Sequence, residues 1–181
     1  MEVKKKDIRA LTKDELRFFF VENNEQAFRG NQVYEWLWSK SLHTFDAMTN
    51  ISKETREMLE ANFVINHIKV DSMQKSNDGT IKNGIRLHDG LIVESVLIPT
   101  DKRTTACVSS QVGCSLDCKF CATSRLKRMR NLNPDEIYDQ VVIIDKQSRL
   151  YFNHKLSNIV FMGMGEPLMN YKNMMKSIEM I

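Results

Sequence analysis

Three of the chain's four cysteines, Cys114, Cys118 and Cys121, lie within eight residues, and Cys107 lies seven residues before them. In a chain that opens without a secretory signal, such a cluster indicates a metal or catalytic site rather than a disulfide framework. Soft thiolates match iron, and their charge offsets that of an iron–sulfur cluster. Because three thiolates leave one iron of a four-iron cluster open, the spacing predicts a [4Fe–4S] cluster that binds an outside ligand.

Two other metal sites fit the cysteines less well. A structural zinc site uses four ligands, commonly in two separated pairs, and no histidine lies near this loop. A four-cysteine electron-transfer cluster would use Cys107 as its fourth ligand. Taken alone, Cys107 is more typical of an inert buried side chain.

A second loop, residues 163–167 with the sequence Gly-Met-Gly-Glu-Pro, follows a predicted strand. Its glycines let the backbone approach a ligand, and its carboxylate can accept hydrogen bonds from an ammonium group. Alone, such a loop is usually an ordinary strand-to-helix connection. Its position one βα unit from the cysteine loop favours a cofactor site, with Gly165 and Glu166 as the binding residues.

Glu94 lies in an apolar run, residues 91–98, that is predicted to form a strand. In a strand with period two, it shares a face with Ile92, Val96 and Ile98. A carboxylate on an apolar face is expected to point into a cavity, a setting that suits proton transfer. The alternative is an edge strand on which Glu94 faces solvent.

The first 65 residues predict a small helical module, which opens with a capping box at Thr12 to Glu15. The predicted helices cover residues 12–21, 26–40 and 52–63. Strands follow at 80–87 and 91–98, joined by the hairpin signal His-Asp-Gly at 88–90.

From Cys107 onward the predicted order is strand, cysteine loop, helix, strand, glycine loop and helix, which indicates a parallel α/β architecture. The predicted elements are a strand at 104–109, a helix that begins at Asn133, a strand at 158–162 and a helix from about Asn170. Both loops follow the carboxyl ends of strands, where such folds bind ligands. Two βα units cannot close a barrel, so we expect the chain to be part of a longer protein.

Composition fits an ordinary globular chain, with 42% hydrophobic and 27% charged residues. No apolar stretch is long enough to span a membrane, so we expect a cytoplasmic protein. Five cations and no acid occur between residues 119 and 130: Lys119, Arg125, Lys127, Arg128 and Arg130. Such a run is usually a solvated face, but beside a metal site it is also suited to contact phosphates.

The Cys-x3-Cys-x2-Cys spacing, with an aromatic residue before its last cysteine, resembles the radical S-adenosylmethionine (SAM) superfamily. Residues 107–121 and 163–168 resemble one branch, the RlmN RNA methyltransferases, which methylate carbon 2 of adenine in 23S ribosomal RNA and transfer RNA. Matching positions in the amino-terminal module are Phe28-Arg29, Gln32-Val33, Trp36 and Met48-Thr49-Asn50.

The resemblance implies a partial (β/α) radical-SAM barrel preceded by a small helical domain and a β-hairpin. Residues 1–65 would form an RNA-docking domain, 66–103 the hairpin and linker, and 104–181 the first βα units. We expect a monomer that takes electrons from an external, flavodoxin-like donor.

Residue roles follow from the same resemblance. Cys114, Cys118 and Cys121 would hold the [4Fe–4S] cluster, and Gly165 and Glu166 the amino group of S-adenosylmethionine.

Glu94 would accept a proton, and Cys107 would resolve a protein–RNA adduct through a transient disulfide. The family carries the methyl group on a further cysteine. None follows Cys121 here, so we expect these 181 residues alone to be inactive.

Three other functions are compatible with these motifs. The sister methyltransferases that modify carbon 8 of adenine share them. A radical SAM enzyme with a small-molecule or protein substrate would also carry the two loops. A non-catalytic iron–sulfur or zinc module would need only the cysteines.

Overall fold

The computed structural model describes residues 5–181, and these form two compact units that divide between Asn66 and His67. The charged start of the chain, residues 1–4, lies outside the described residues. Among the residues described, no helix has the length and apolarity needed to cross a bilayer.

The first unit contains three α-helices and a short parallel strand pair within its described residues. In chain order these are β1 (Lys6–Asp7), α1 (Lys13–Glu22), α2 (Phe28–Trp38), α3 (Lys53–Asn62) and β2 (Phe63–Val64). The predicted capping box is confirmed, because Thr12 and Glu15 cap α1 reciprocally. The helix predicted at 26–40 is shorter, and the predicted third helix ends before Phe63, which begins β2 instead.

The core of the first unit comes from all three helices and the loops between them. Its fully buried large side chains include Ile8, Leu16, Phe20, Val33, Leu37, Met48 and Leu59. Val33 and Leu37 face inward as predicted, whereas Trp36 is only half-buried. Helices α1 and α2 pack closely at Gly30, where a Cβ atom would lie 2.6 Å from the backbone nitrogen of Arg17.

The second unit is built on a five-stranded sheet with the order β3-β4-β5-β6-β9. Its strands are β3 (Lys69–Lys75), β4 (Ile81–Arg86), β5 (Ile92–Pro99), β6 (Thr104–Cys107) and β9 (Asn158–Val160); β7 (Gln111–Val112) and β8 (Arg130–Asn131) form a separate pair. Strands β3 to β6 are antiparallel, and β6 pairs in parallel with β9. The predicted hairpin is therefore part of the same sheet as the first βα unit.

Helix α4 (Pro134–Phe152) covers one face of this sheet, and α5 (Tyr171–Met180) follows β9. The capping box at Asn133 and the buried stripe of Ile137, Val141 and Ile144 are confirmed. This stripe packs in the hydrophobic core of the unit with the sheet residues, and the apolar burial stabilises the unit. Buried polar contacts also join helix to sheet: the amides of Asn83 and Gln147 exchange two hydrogen bonds of 2.9 and 2.8 Å, and Ser148 Oγ lies 3.0 Å from Thr104 Oγ1.

Two strands of the five-stranded sheet differ most from expectation. The strand predicted as buried at 158–162 is β9, which ends at Val160 and is half-exposed because it lies at the sheet edge. Strand β3 was not predicted, since its seven residues are all exposed and show no alternation of apolar and polar side chains.

Candidate functional site

The sheet face opposite α4 carries both predicted catalytic side chains. Val96 of β5 lies opposite Cys107 of β6. Because side chains alternate along a strand, Glu94 and Val96 point to the same face as Cys107. This face, which carries Glu94 and Cys107, is called the open face below. The register therefore brings the two predicted catalytic residues to neighbouring strands.

The surroundings of Glu94 differ from the prediction. The buried side chains of β5 are Val93, Ser95 and Leu97, so the face of Glu94 is the exposed one. The strand is the third of five and not an edge strand. Glu94 is half-exposed and pairs with Lys82 of β4, whose Nζ lies 2.6 Å from its Oε1. The side chain of Glu94 therefore faces solvent and is not buried, because the sheet buries the other stripe of β5 against α4.

Cys107 is half-buried at the end of β6. Burial raises the pKa of its thiol, and a hydrogen bond with the backbone of Met162 offsets part of that rise. The thiol is therefore mostly protonated at neutral pH. A thiol in this state becomes a nucleophile only after it loses its proton.

The three cysteines predicted to hold the cluster lie in a loop whose two ends are held together. Strands β7 and β8 pair in an antiparallel manner immediately before and after it. Gly113 closes the stem at φ +73°, and a Cβ atom there would lie 2.3 Å from the carbonyl oxygen of Lys127. Only glycine combines this conformation with this close approach. The stem thus fixes the base of the cysteine loop.

The three cysteines are free and only partly buried. Backbone hydrogen bonds from Thr123 and Ser124 lower the pKa of the Cys121 thiol. The N–H of Leu116 lies 3.4 Å from Cys114 Sγ. The hydrogen bonds to Cys121 favour its thiolate, which is the form that binds iron.

Among the residues described, no three His, Cys, Asp or Glu side chains converge closely enough to hold a metal ion. The thiols of Cys114, Cys118 and Cys121 are therefore not gathered around a preformed centre. The donor set still fits an iron–sulfur cluster, because three soft, accessible thiols lie on one loop and backbone N–H groups face two of them.

The glycine loop packs directly on the chain that leads into the cysteine loop. Met164 N donates to Ser109 Oγ at 2.8 Å, and Met164 O accepts from Ser110 N at 2.9 Å. Ser109 Oγ also donates to the carbonyl oxygen of Glu94 at 2.5 Å. One buried hydroxyl therefore connects the Glu94 strand with the glycine loop.

Glu166 is held by its backbone and by one carboxylate oxygen. Its N–H donates to Gln111 Oε1 at 2.9 Å, and its Oε1 accepts from Leu168 N at 3.0 Å. Its Oε2 has no hydrogen-bond partner in the part of the chain that the structure describes. One oxygen thus fixes the carboxylate, and the other can accept from a ligand ammonium.

Ser109 and Gln111 were not predicted as site residues. The available signal was the polar run Ser109-Ser110-Gln111 between Val108 and Val112 in a segment that is otherwise apolar. All three are buried in the structure. Buried polar side chains need hydrogen-bond partners, and here these partners lie on other segments of the chain.

Arg130 corrects the prediction that the whole basic run contacts phosphates. Its guanidinium pairs with Asp89 at 2.7 Å and with both oxygens of Glu136 at 2.7 and 2.8 Å. These hydrogen bonds, first those with Glu136, raise the pKa of Arg130 further above its ordinary value. Arg130 thus ties the stem of the cysteine loop to α4. The remaining four cations are exposed, although Lys119 pairs with Asp117 at 2.6 Å.

Replacing Arg130 by methionine should lower the free energy of unfolding by about 3 kcal/mol, because it leaves the buried carboxylate of Glu136 without its cation. Urea unfolding of the 181-residue chain measures this change. Arg125→Met, at an exposed position of the same run, is the matched control and should change stability by less than about 0.5 kcal/mol. Equal stabilities of the two variants would show that the ion pairs do not hold the stem.

Comparisons with known proteins cover both units. Residues 6–65 match the family model "Ribosomal RNA large subunit methyltransferase N-terminal domain", and residues 108–181 match "Radical SAM superfamily". A "Probable dual-specificity RNA methyltransferase RlmN" from Flavobacterium johnsoniae is 76% identical over 181 residues, which are 100% of this chain and 52% of that protein. A "Dual-specificity RNA methyltransferase RlmN" from Geotalea uraniireducens is 41% identical over 179 residues, which are 99% of this chain and 50% of that protein.

A solved structure shows the same fold. It is a radical SAM methyltransferase from Sphaerobacter thermophilus, with a TM-score of 0.82 and 35% identity. The match covers 97% of this chain and 51% of that one. The chain spans about half the length of the curated relatives it matches.

Proposed function

Because this chain belongs to the RlmN family of radical SAM RNA methyltransferases, we propose that it is the cofactor-binding part of an enzyme that methylates carbon 2 of adenine. The RNA substrates are 23S ribosomal RNA and transfer RNA, and the enzyme acts in the cytoplasm. The observation that carries the proposal is the direct packing of the glycine loop on the segment that leads into the cysteine loop.

Cys114, Cys118 and Cys121 hold a [4Fe–4S] cluster in this proposal, and Gly165 and Glu166 bind S-adenosylmethionine. When bound, these cofactors supply one-electron chemistry and the methyl group. The chain's contribution is to place two loops against each other. Support comes from the loop stem, the accessible thiols and the free carboxylate oxygen of Glu166 described above.

Glu94 is the proton acceptor of the proposed reaction, and Cys107 resolves the adduct between protein and RNA. Both lie on the open face, on neighbouring strands. The ammonium of Lys82 lies 2.6 Å from one carboxylate oxygen of Glu94 and holds it in place on this face. The proposed reaction also needs a methyl-carrying cysteine, and no cysteine follows Cys121 in these 181 residues.

RNA contacts are proposed on each unit separately. In the first unit, the Lys40 ammonium lies 3.4 Å from the centre of the Trp36 ring, and the Arg29 guanidinium lies 5.1 Å from that of Phe28. Cations beside partly exposed aromatic rings suit RNA, which offers phosphates and base faces. In the second unit, Arg125, Lys127 and Arg128 are the exposed cations after the cysteine loop that remain for phosphates.

The enzyme acts as a monomer with an external, flavodoxin-like electron donor.

The substrate class is tested with the full-length form, meaning this chain joined to the remaining length of such a relative. Incubation with methyl-labelled S-adenosylmethionine, a reductant and either RNA should place label in both ribosomal and transfer RNA. Digestion with ribonuclease should release that label as nucleosides. Consumption of the cofactor without label in either RNA would favour a radical SAM enzyme with a small-molecule or protein substrate.

Glu166→Gln in the full-length form should weaken S-adenosylmethionine binding by about tenfold, because a charge-assisted hydrogen bond is worth roughly 1.5–3 kcal/mol. Glutamine keeps the oxygen that accepts from Leu168 N, so the turn after the glycine loop stays intact. Isothermal titration of the reconstituted protein measures the affinity, and iron analysis serves as the control. Unchanged affinity at unchanged iron content would remove Glu166 from the binding site.

A further inference from the structure

Gln111 is a fully buried amide at the junction of three segments of the candidate site. Its Oε1 accepts from Glu166 N at 2.9 Å, and its Nε2 donates to Asn131 Oδ1 at 2.8 Å. Its backbone N–H donates to Met164 O at 3.2 Å. The side chain thus links the glycine loop with β8, the strand that closes the stem of the cysteine loop.

The glycine loop is shaped to receive this side chain. Gly165 has φ +93°, and a Cβ atom there would lie 2.4 Å from Gln111 Cβ. Any larger residue at position 165 would push the loop away from Gln111 and break its hydrogen bond with Glu166. The absence of a side chain at Gly165 therefore serves the contact with Gln111 and not only the turn.

We propose that Gln111 is the positioning residue for Glu166. By accepting from the backbone N–H of Glu166, Gln111 fixes where the Glu166 carboxylate lies relative to the base of the cysteine loop. The inference rests on the proposed function, because it assumes that Glu166 binds the amino group of S-adenosylmethionine. The Gln111 amide can hold Glu166 in position because both its Nε2 and its Oε1 are hydrogen-bonded. Asn131 Oδ1 fixes the Nε2 end, and this leaves Oε1 directed at the N–H of Glu166.

Asn131 is itself fixed on both sides. Its Oδ1 also accepts from Arg128 Nη2 at 3.0 Å, and its Nδ2 donates to Met169 O at 3.3 Å. Asn131 is therefore held both by the segment of the cysteine-loop stem and by the turn after the glycine loop. From Asn131, the hydrogen bonds continue through Gln111 to Glu166. Rotation of the Gln111 amide would break contacts at each end. The backbone of Glu166 is thus fixed relative to the base of the cysteine loop.

The test is Gln111→Met in the full-length form, which keeps the length of the side chain and removes its acceptor and its donor. Gln147→Met is the matched control, because Gln147 is also a buried amide but bonds to Asn83, which is on β4 and outside both loops. Three quantities are measured after anaerobic reconstitution: iron per protein, the melting temperature and the Kd for S-adenosylmethionine.

Both variants are expected to melt at lower temperature than the parent and to keep its iron content. Only Gln111→Met should raise the Kd for S-adenosylmethionine, by about tenfold, since binding groups misplaced by about 1 Å lose much of their effect. An unchanged Kd in Gln111→Met, or an equal rise in Gln147→Met, would overturn the positioning role.

Asn131→Ala keeps the inference testable if Gln111→Met does not fold. Asn131 is only partly buried, and its removal leaves Gln111 without the partner that orients its amide. A rise in Kd of about threefold is expected, and a parental Kd would contradict the inference. A parent protein that binds no S-adenosylmethionine would overturn the proposed function, and this inference with it. A parent that binds, with unaffected variants, would overturn the inference alone.

Discussion

Cys118→Ala is expected to abolish the iron–sulfur cluster and to leave the fold intact. The reconstituted parent should hold about four irons per chain, and the variant close to none, because a three-thiolate loop has no spare ligand. Cys118 lies on the partly exposed loop and outside the hydrophobic core, so its loss removes little packing. Iron and sulfide analysis with the absorption spectrum measures the result, and the same outcome is expected for Cys114→Ala and Cys121→Ala.

Cys107→Ala is the matched control, because it removes the fourth cysteine from β6 and leaves the loop unchanged. It should keep the full iron content. Loss of the cluster in Cys107→Ala would instead identify a four-cysteine electron-transfer centre. Zinc in place of iron in the parent would contradict the iron–sulfur assignment altogether.

Cys107→Ala in the full-length form is expected to stop the reaction after the covalent step. The proposed role of the Cys107 thiolate is to attack the sulfur that carries the RNA, which forms a disulfide. The sulfur–carbon bond breaks, and its electron pair stays on the nucleotide. Without this thiol the protein should stay joined to its RNA. A denaturing gel should show a slow band that nuclease removes.

The pH dependence of RNA release from the adduct, measured with the parent protein, is a second test of the role of Cys107. Burial raises the pKa of Cys107, so the thiolate fraction is small at neutral pH and grows as the pH rises toward that pKa. Release of RNA from the adduct should therefore accelerate with pH. Normal multiple turnover by Cys107→Ala, without the slow band, would show that Cys107 only packs. Its loss would then cost about 1 kcal/mol of stability.

Most of the sequence predictions that the structure confirms depend on residues close together in the sequence. The capping boxes at Thr12 and Asn133 depend on residues three apart, and the hairpin at 88–90 depends on a Gly with φ +85°. The resemblance of the cysteine loop predicted the radical-SAM fold class, which the similarity to a solved radical SAM methyltransferase confirms. Such patterns are short, so one sequence is enough to recognise them.

Properties set by distant residues could not be predicted in this way. Arg130 belongs to a basic run, but Asp89, which binds it, lies 41 residues away. Glu94 was assigned to the correct strand face, whereas its exposure depends on which face α4 covers. The proposed role of Gln111 depends on its hydrogen bond with Glu166, 55 residues later. Long-range pairing of this kind leaves no periodic signal in the sequence.

The central claim is most directly tested by mass spectrometry of nucleosides from ribosomal and transfer RNA incubated with the full-length form, S-adenosylmethionine and a reductant. The proposed function predicts 2-methyladenosine in both RNAs with the parent protein and none with Cys118→Ala. The appearance of 8-methyladenosine would identify the sister activity and contradict the assignment to carbon 2. Unmodified adenosine with the cluster-loaded parent, or 2-methyladenosine with Cys118→Ala, would contradict the account as a whole.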